Sequence, residues 1–376
     1  MGAGDGRGIG HELTALPCGP ERLNQIGHQL VRETDCHRHP HILGCCDDRL
    51  DPPIVLRDAR KSVVNGLAGW VSRRRGCGLV GVESDSQVSA RGLLMEEEMG
   101  EHEHTAVVTS GTRSADGTMI SYHRMGRGRP LVVVPGSLDT GMDWLQVAEL
   151  LRKDFTLYLV NRRGRAASGS MRTEHTLENE YEDVAAVLRC AGRSAVLLGH
   201  SYGAIIALGT ALQMAPADLV LYEPPLPVAG PVAGASLSPY TAAVAAGRFD
   251  DALTLGMTDI VHVTVEELAA LRAMPALWAK MAALTPTWTP ELSEIDRLGP
   301  SLERYRSLAC PTLLLVGEFS AAHPLRTASQ QLATILRDCR TVQLDGQAHS
   351  AHKAAPQQLA QVLQQFRGTS PRNAHT

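Results

Sequence analysis

The sequence predicts an α/β protein: a mostly parallel, eight-stranded sheet with helices on both faces and a helical cap inserted after the sixth strand. From about Val107 to Arg367, short β-branched or apolar runs alternate with longer helical patterns, as repeated βα units do. A stretch of roughly eighty residues, Pro225 to Cys310, separates the sixth strand from the seventh and carries helical patterns of its own. The first hundred or so residues mix Arg, Gly, His and Cys with short apolar fragments and show no sustained period, so little order is expected there.

The strands are expected at Ala106–Ser110, Met119–His123, Leu131–Pro135, Thr156–Asn161, Ala195–Gly199, Leu219–Glu223, Thr312–Gly317 and Thr341–Leu344. The first two are separated by Ala115-Asp116-Gly117, a turn sequence that suits a hairpin, so an antiparallel edge should lead into the parallel sheet. Later strands are separated by helical patterns such as Leu177 to Cys190 and Pro356 to Phe366. In the cap, helices are expected around Tyr240–Ile260, Val265–Leu284 and Pro290–Leu298.

A chain of 376 residues with 44% hydrophobic side chains can bury a large core without disulfide staples. Its 36 basic and 40 acidic residues give a net charge of -4 with no long run of one sign, which points to neither nucleic acid nor an anionic membrane as partner. Ser194 to Met214 is the longest stretch that could pass for a membrane span, yet it carries His200, Ser201 and Tyr202 at its middle and suits strand, turn and helix better. No secretory pattern opens the chain, and a cytoplasmic location with free thiols is expected.

Three domain segments are expected: a poorly ordered extension over 1–104, a folded α/β domain over 105–367 with its cap at about 225–310, and a disordered tail over 368–376. Only four of the basic residues are Lys, a bias of GC-rich coding sequence in which upstream DNA often reads through without stops. Translation is therefore expected to begin near Met95 or Met99. Cys36-His37-Arg38-His39-Pro40-His41 with Cys45-Cys46 has zinc-ligand residue types but no familiar finger spacing, so no metal site is assigned. Neither Gly-x-Gly-x-x-Gly after the first strands nor a phosphate-binding Gly-x-x-x-x-Gly-Lys-Ser/Thr occurs, and no cofactor is expected.

The strongest motif is Val196-Leu197-Leu198-Gly199-His200-Ser201-Tyr202-Gly203-Ala204-Ile205-Ile206-Ala207, a buried strand that runs into Gly-x-Ser-x-Gly and then a helix. A serine on so tight a turn is pushed into solvent, and the flanking glycines let strand and helix approach without a Cβ clash. Here the chain resembles the α/β-hydrolase superfamily, over about 260 residues.

That resemblance implies roles. Ser201 would be the nucleophile and His349, in Leu344-Asp345-Gly346-Gln347-Ala348-His349, the base; His352 lies three residues on but does not fit the Gly-x-x-His spacing. Oxyanion donors would be the Tyr202 N–H, at a helix start, and the Ser137 N–H, in Val134-Pro135-Gly136-Ser137, where Pro135 replaces the usual His. Asn161-Arg162-Arg163-Gly164-Arg165-Ala166-Ala167-Ser168 resembles the structural loop after the fourth strand, with Asn161 for the usual Asp and Ala166 for the second Gly.

The acid departs most from the family. After the seventh strand, Gly317-Glu318-Phe319-Ser320 puts Ser320 where relatives have Asp. Glu223, closing the sixth strand, is the first candidate, at an acid location that the related haloalkane dehalogenases use, and Glu318 is the alternative. Trp278 and Trp288 could line a pocket under the cap or pack its core. The expected function is hydrolysis of a small-molecule ester through an acyl-enzyme. A cofactor-free perhydrolase or haloperoxidase-like activity and a non-catalytic ligand-binding role are the alternatives.

Overall fold

The computed structural model of the chain describes residues 107–172, 174–320 and 324–366. The expectations for 1–104, the start near Met95 or Met99, the cysteine and histidine cluster and the tail 368–376 lie outside those residues. The described part builds one eight-stranded sheet. Its strands are β1 (Val108–Arg113), β2 (Met119–Gly126), β3 (Arg129–Val134), β4 (Phe155–Val160), β5 (Val196–His200), β6 (Asp218–Tyr222), β7 (Thr312–Gly317) and β8 (Cys339–Leu344), in the order β1-β2-β4-β3-β5-β6-β7-β8. β1 and β2 form the expected antiparallel edge, β2 runs antiparallel to β4, and every later pairing is parallel.

The α-helices among the described residues are α1 (Leu145–Leu151), α2 (Leu177–Ala191), α3 (Tyr202–Gln213), α4 (Leu237–Ala245), α5 (Phe249–Leu255), α6 (Val265–Arg272), α7 (Pro275–Ala283), α8 (Thr285–Arg297), α9 (Pro324–Ile335), α10 (Ala351–Ala354) and α11 (Pro356–Gln365). The central strands β3 to β7 are buried on both sides, and alternation divides their side chains between two cores. Val132, Val134, Leu197, Leu219, Leu221 and Leu314 face α2, α3 and α9. Leu131, Val133, Leu198, Val220, Leu313 and Leu315 face α1 and α11. The cap helices α4 to α8 lie between β6 and β7 in sequence, and their Tyr240, Trp278, Trp288 and Leu292 continue the first core. Both cap tryptophans are buried.

The cap differs from expectation in its breaks. Tyr240–Ile260 is two helices because Gly247 takes a left-handed φ of 69° after α4. Val265–Leu284 divides before Pro275, since a proline disfavours helical backbone in the residue preceding it. The third cap helix begins at Thr285 rather than Pro290, with Pro286 in its first turn and Pro290 inside it. Among the described residues no helix is long and apolar enough to cross a membrane.

Candidate active site

Adjacent parallel strands end level with one another, and this brings the predicted residues together. His200, the last residue of β5, pairs with Tyr222, the last of β6, so Ser201 and Glu223 are the next residues along two neighbouring strands. Ser201 N–H donates to Tyr222 C=O at 2.9 Å, and Glu223 N–H to Leu315 C=O of β7 at 3.2 Å. Both residues have positive φ, 54° for Ser201 and 46° for Glu223, conformations that cost about 1–3 kcal/mol each and persist only where the surroundings impose them.

The glycines around Ser201 explain the tight turn. A Cβ on Gly199 would lie 2.3 Å from Gly203 C=O, and one on Gly203 would lie 2.2 Å from Val134 C=O. α3 thus starts against the end of β3, with Ser201 half-buried at the junction. The first N–H groups of a helix lack intrahelical partners, which leaves the Tyr202 amide available to an anion. Gly136 closes on the same spot from the loop after β3: its Cβ would sit 3.1 Å from that of Ser201.

His349 follows β8 and meets Glu223, not Glu318. Its Nδ1 lies 2.7 Å from Glu223 Oε2; a carboxylate accepts, so Nδ1–H donates and the Nε2 lone pair is left free. Glu223 is fully buried, and its other oxygen accepts from Gly317 N–H at 2.7 Å. Burial pushes this carboxyl up, but the hydrogen bond and charge of His349, the Ser320 hydroxyl and the Gly317 amide outweigh it and hold it low. Ser320, at the position where relatives carry the acid, therefore supports Glu223. Glu318 accepts from Gly346 N–H at 2.7 Å on the exposed side of the same loop.

Behind His349 lies a group that the sequence analysis did not anticipate. His200 Nε2 lies 2.9 Å from the His349 carbonyl, which can only accept, so His200 carries its proton there. Burial, then the nearby His352 and His349, keep His200 well below its ordinary titration range, hence neutral. His352 stacks on Trp144 and donates from Nε2 to Asp139 Oδ2 at 3.1 Å. Lys353 Nζ lies 2.5 Å from Asp139 Oδ1. Asp139, His200 and His352 are the one group among the described residues whose spacing could hold a metal ion, and the Lys353 ammonium already supplies the countercharge that a cation would bring. Tyr222 fastens the loop from beneath: its hydroxyl donates to Ala348 C=O and accepts from Ala351 N–H.

The loop after β4 is a second unanticipated network. Asn161 accepts from Gly141 N–H and donates to Ser121 Oγ, both at 3.0 Å, as a neutral side chain there can. Ala166 keeps the left-handed conformation of the glycine it replaces, with φ 49°. Arg162 and Arg165 are buried and share the Glu291 carboxylate of cap helix α8, at 2.9 and 2.6 Å. Arg162 also pairs with Glu180 of α2 at 3.1 Å, and two guanidiniums against two carboxylates leave the network balanced. Buried charges survive only when paired in this way. A run of arginines in a loop announces such a network poorly, because its carboxylates come from distant segments.

The sequence model of the alpha/beta hydrolase family matches residues 131–362. N-formylmaleamate deformylase of Pseudomonas putida is 37% identical over 129 residues, 33% of this chain and 47% of that protein, so the chain spans about half the length of that relative. Pimeloyl-[acyl-carrier protein] methyl ester esterase of Vibrio parahaemolyticus is 29% identical over 239 residues, 57% of this chain and 86% of that protein. The solved structure of an alpha/beta hydrolase from Sphaerobacter thermophilus aligns with a TM-score of 0.62 and 34% identity, over 68% of this chain and 98% of that one. With a matching family model over more than half its length and the family's sheet order, the chain belongs to the alpha/beta hydrolase family.

Proposed function

We propose that this hydrolase cleaves a small-molecule ester or related acyl bond through an acyl-enzyme formed on Ser201. The Ser201 hydroxyl attacks the carbonyl carbon while His349 Nε2 takes its proton, and Glu223 stabilises the imidazolium by accepting Nδ1–H. The oxyanion is held by the Ser137 and Tyr202 amides. His349 returns the proton to the leaving group as the tetrahedral intermediate collapses, and water then releases the acid by the same steps in reverse. The reaction uses no cofactor, nucleic acid or membrane.

The observation that carries this reading is the 2.7 Å contact of His349 with buried Glu223 at the edge where Ser201 turns outward. Relatives named as a deformylase and a methyl ester esterase support an acyl bond as the target. A fluorophosphonate probe tests it: wild type should label at Ser201, located by peptide mass spectrometry, and Ser201→Ala should not. A folded protein that never labels would instead indicate a ligand-binding role on this fold.

A further inference from the structure

The Arg162–Glu291 pair reaches the oxyanion side of the site. Arg162 Nη2 donates at 2.8 Å to the carbonyl of Gly136, and that carbonyl belongs to the same peptide unit as the Ser137 N–H. In a planar trans peptide the C=O and N–H point in opposite directions. Holding the carbonyl on Arg162 therefore turns the Ser137 N–H away from the arginine, on a peptide whose Gly136 lies against Ser201. A cation bonded to the carbonyl also draws electron density from the amide, which strengthens its N–H as a donor. Arg165 donates to the next carbonyl, that of Ser137.

The same guanidinium touches the second donor's residue. Arg162 Cζ lies 4.9 Å above the Tyr202 ring, which is itself fully buried. Arg162 is in turn held by Glu291 of α8, so its position depends on how the cap is seated. A further cap contact follows the same loop, with Lys280 of α7 at 2.5 Å from Asp143.

We infer that Arg162 is a positioning residue for the oxyanion hole, orienting and polarising the Gly136–Ser137 peptide, and that Glu291 makes this contribution depend on the seating of the cap. The inference rests on the proposed acyl-enzyme reading, since it assigns Arg162 to the Ser137 donor of that mechanism. Arg162 acts through the peptide and touches no substrate.

The test uses Arg162→Lys and Glu291→Gln in the full chain, with p-nitrophenyl acetate as substrate and a phenyl trifluoromethyl ketone as inhibitor, because the ketone forms an oxyanion on the serine. Arg162→Lys should lower kcat by about 10- to 100-fold with KM changed less than about threefold, and should raise the ketone Ki by the same factor as kcat/KM falls. Glu291→Gln should give the same pattern at about 3- to 10-fold. A folded Arg162→Lys with kcat within threefold of wild type, or a kcat loss with no matching rise in Ki, overturns the inference. If Arg162→Lys does not fold, Glu291→Gln decides by the same two criteria. Ser201→Ala separates the two levels: loss of turnover and labelling in that variant upholds the acyl-enzyme reading whatever Arg162 does.

Discussion

Two buried polar networks flank Ser201, and they are built from different chemistry. On the side of His349, single hydrogen bonds join Glu223 to His349, the His349 carbonyl to His200, and His352 to Asp139, and burial keeps His200 neutral. On the side of the proposed oxyanion hole, Arg162 and Arg165 sit between Glu180 and Glu291, and burial, outweighed by the two carboxylates, leaves Arg162 more firmly protonated than a free guanidinium. The proposed base, His349, must exchange protons, and the carboxylate that accepts its Nδ1–H favours the protonated ring when it does. An oxyanion hole needs an unvarying field, which permanent charges supply.

The largest effects should come from breaking the chemical centre between them. Ser201→Ala should lower kcat on a p-nitrophenyl ester by about 10⁴-fold or more while the melting temperature holds, because both networks remain intact. Glu223→Gln should cost about 10³- to 10⁴-fold in kcat, since an amide cannot fix the His349 tautomer or stabilise its cation. Glu318→Gln should cost less than about tenfold in the same assay; a loss there equal to that at Glu223 would move the acid across the loop. Adding Ser320→Asp to Glu223→Gln should recover part of the rate, since Ser320 already touches the Glu223 carboxylate.

The next effect is on stability and separates the two sides by pH. Burial, with nearby His and Lys charges, holds His200 and His352 below their usual range when folded, so the unfolded chain binds protons first. Their stabilisation is complete above about pH 6.5 and declines as the pH falls below it. Glu223 and Asp139 are held low by their partners against burial, and their contribution is lost below about pH 4. Melting curves between pH 8 and pH 4 should therefore fall steadily below about 6.5. A flat profile would mean that these histidines are not buried neutral. The smallest effect belongs to the oxyanion-side loop: Ala166→Gly relieves the φ of 49° but adds unfolded-chain freedom, so stability should shift by less than about 1 kcal/mol in denaturant titration. A large loss would show that the methyl group packs.

Much of this was legible in the chain. Alternating apolar runs placed eight strands, and Gly199-His200-Ser201-Tyr202-Gly203 marked a strand-to-helix turn because its glycines are required locally by backbone approach within a few residues. Val265–Leu284 reads as one helix by periodicity, and the proline at its centre divides it in the fold. The charged partners of Arg162 were not legible: Glu180 and Glu291 lie 18 and 129 residues away and carry no local signature.

By itself the sequence determined the sheet, the position of the cap, and a serine on a tight turn, since these follow from short apolar runs that alternate with helical patterns and from glycine spacing. Only the tertiary structure decided which carboxylate meets His349. Glu223 and Glu318 both follow strand ends, but the register of β5, β6 and β7 puts Glu223 inward beside Ser201, and Gly346 draws Glu318 outward. The pairing of Arg162 with the cap was decided there too, because balancing a buried charge depends on distances in space and not along the chain.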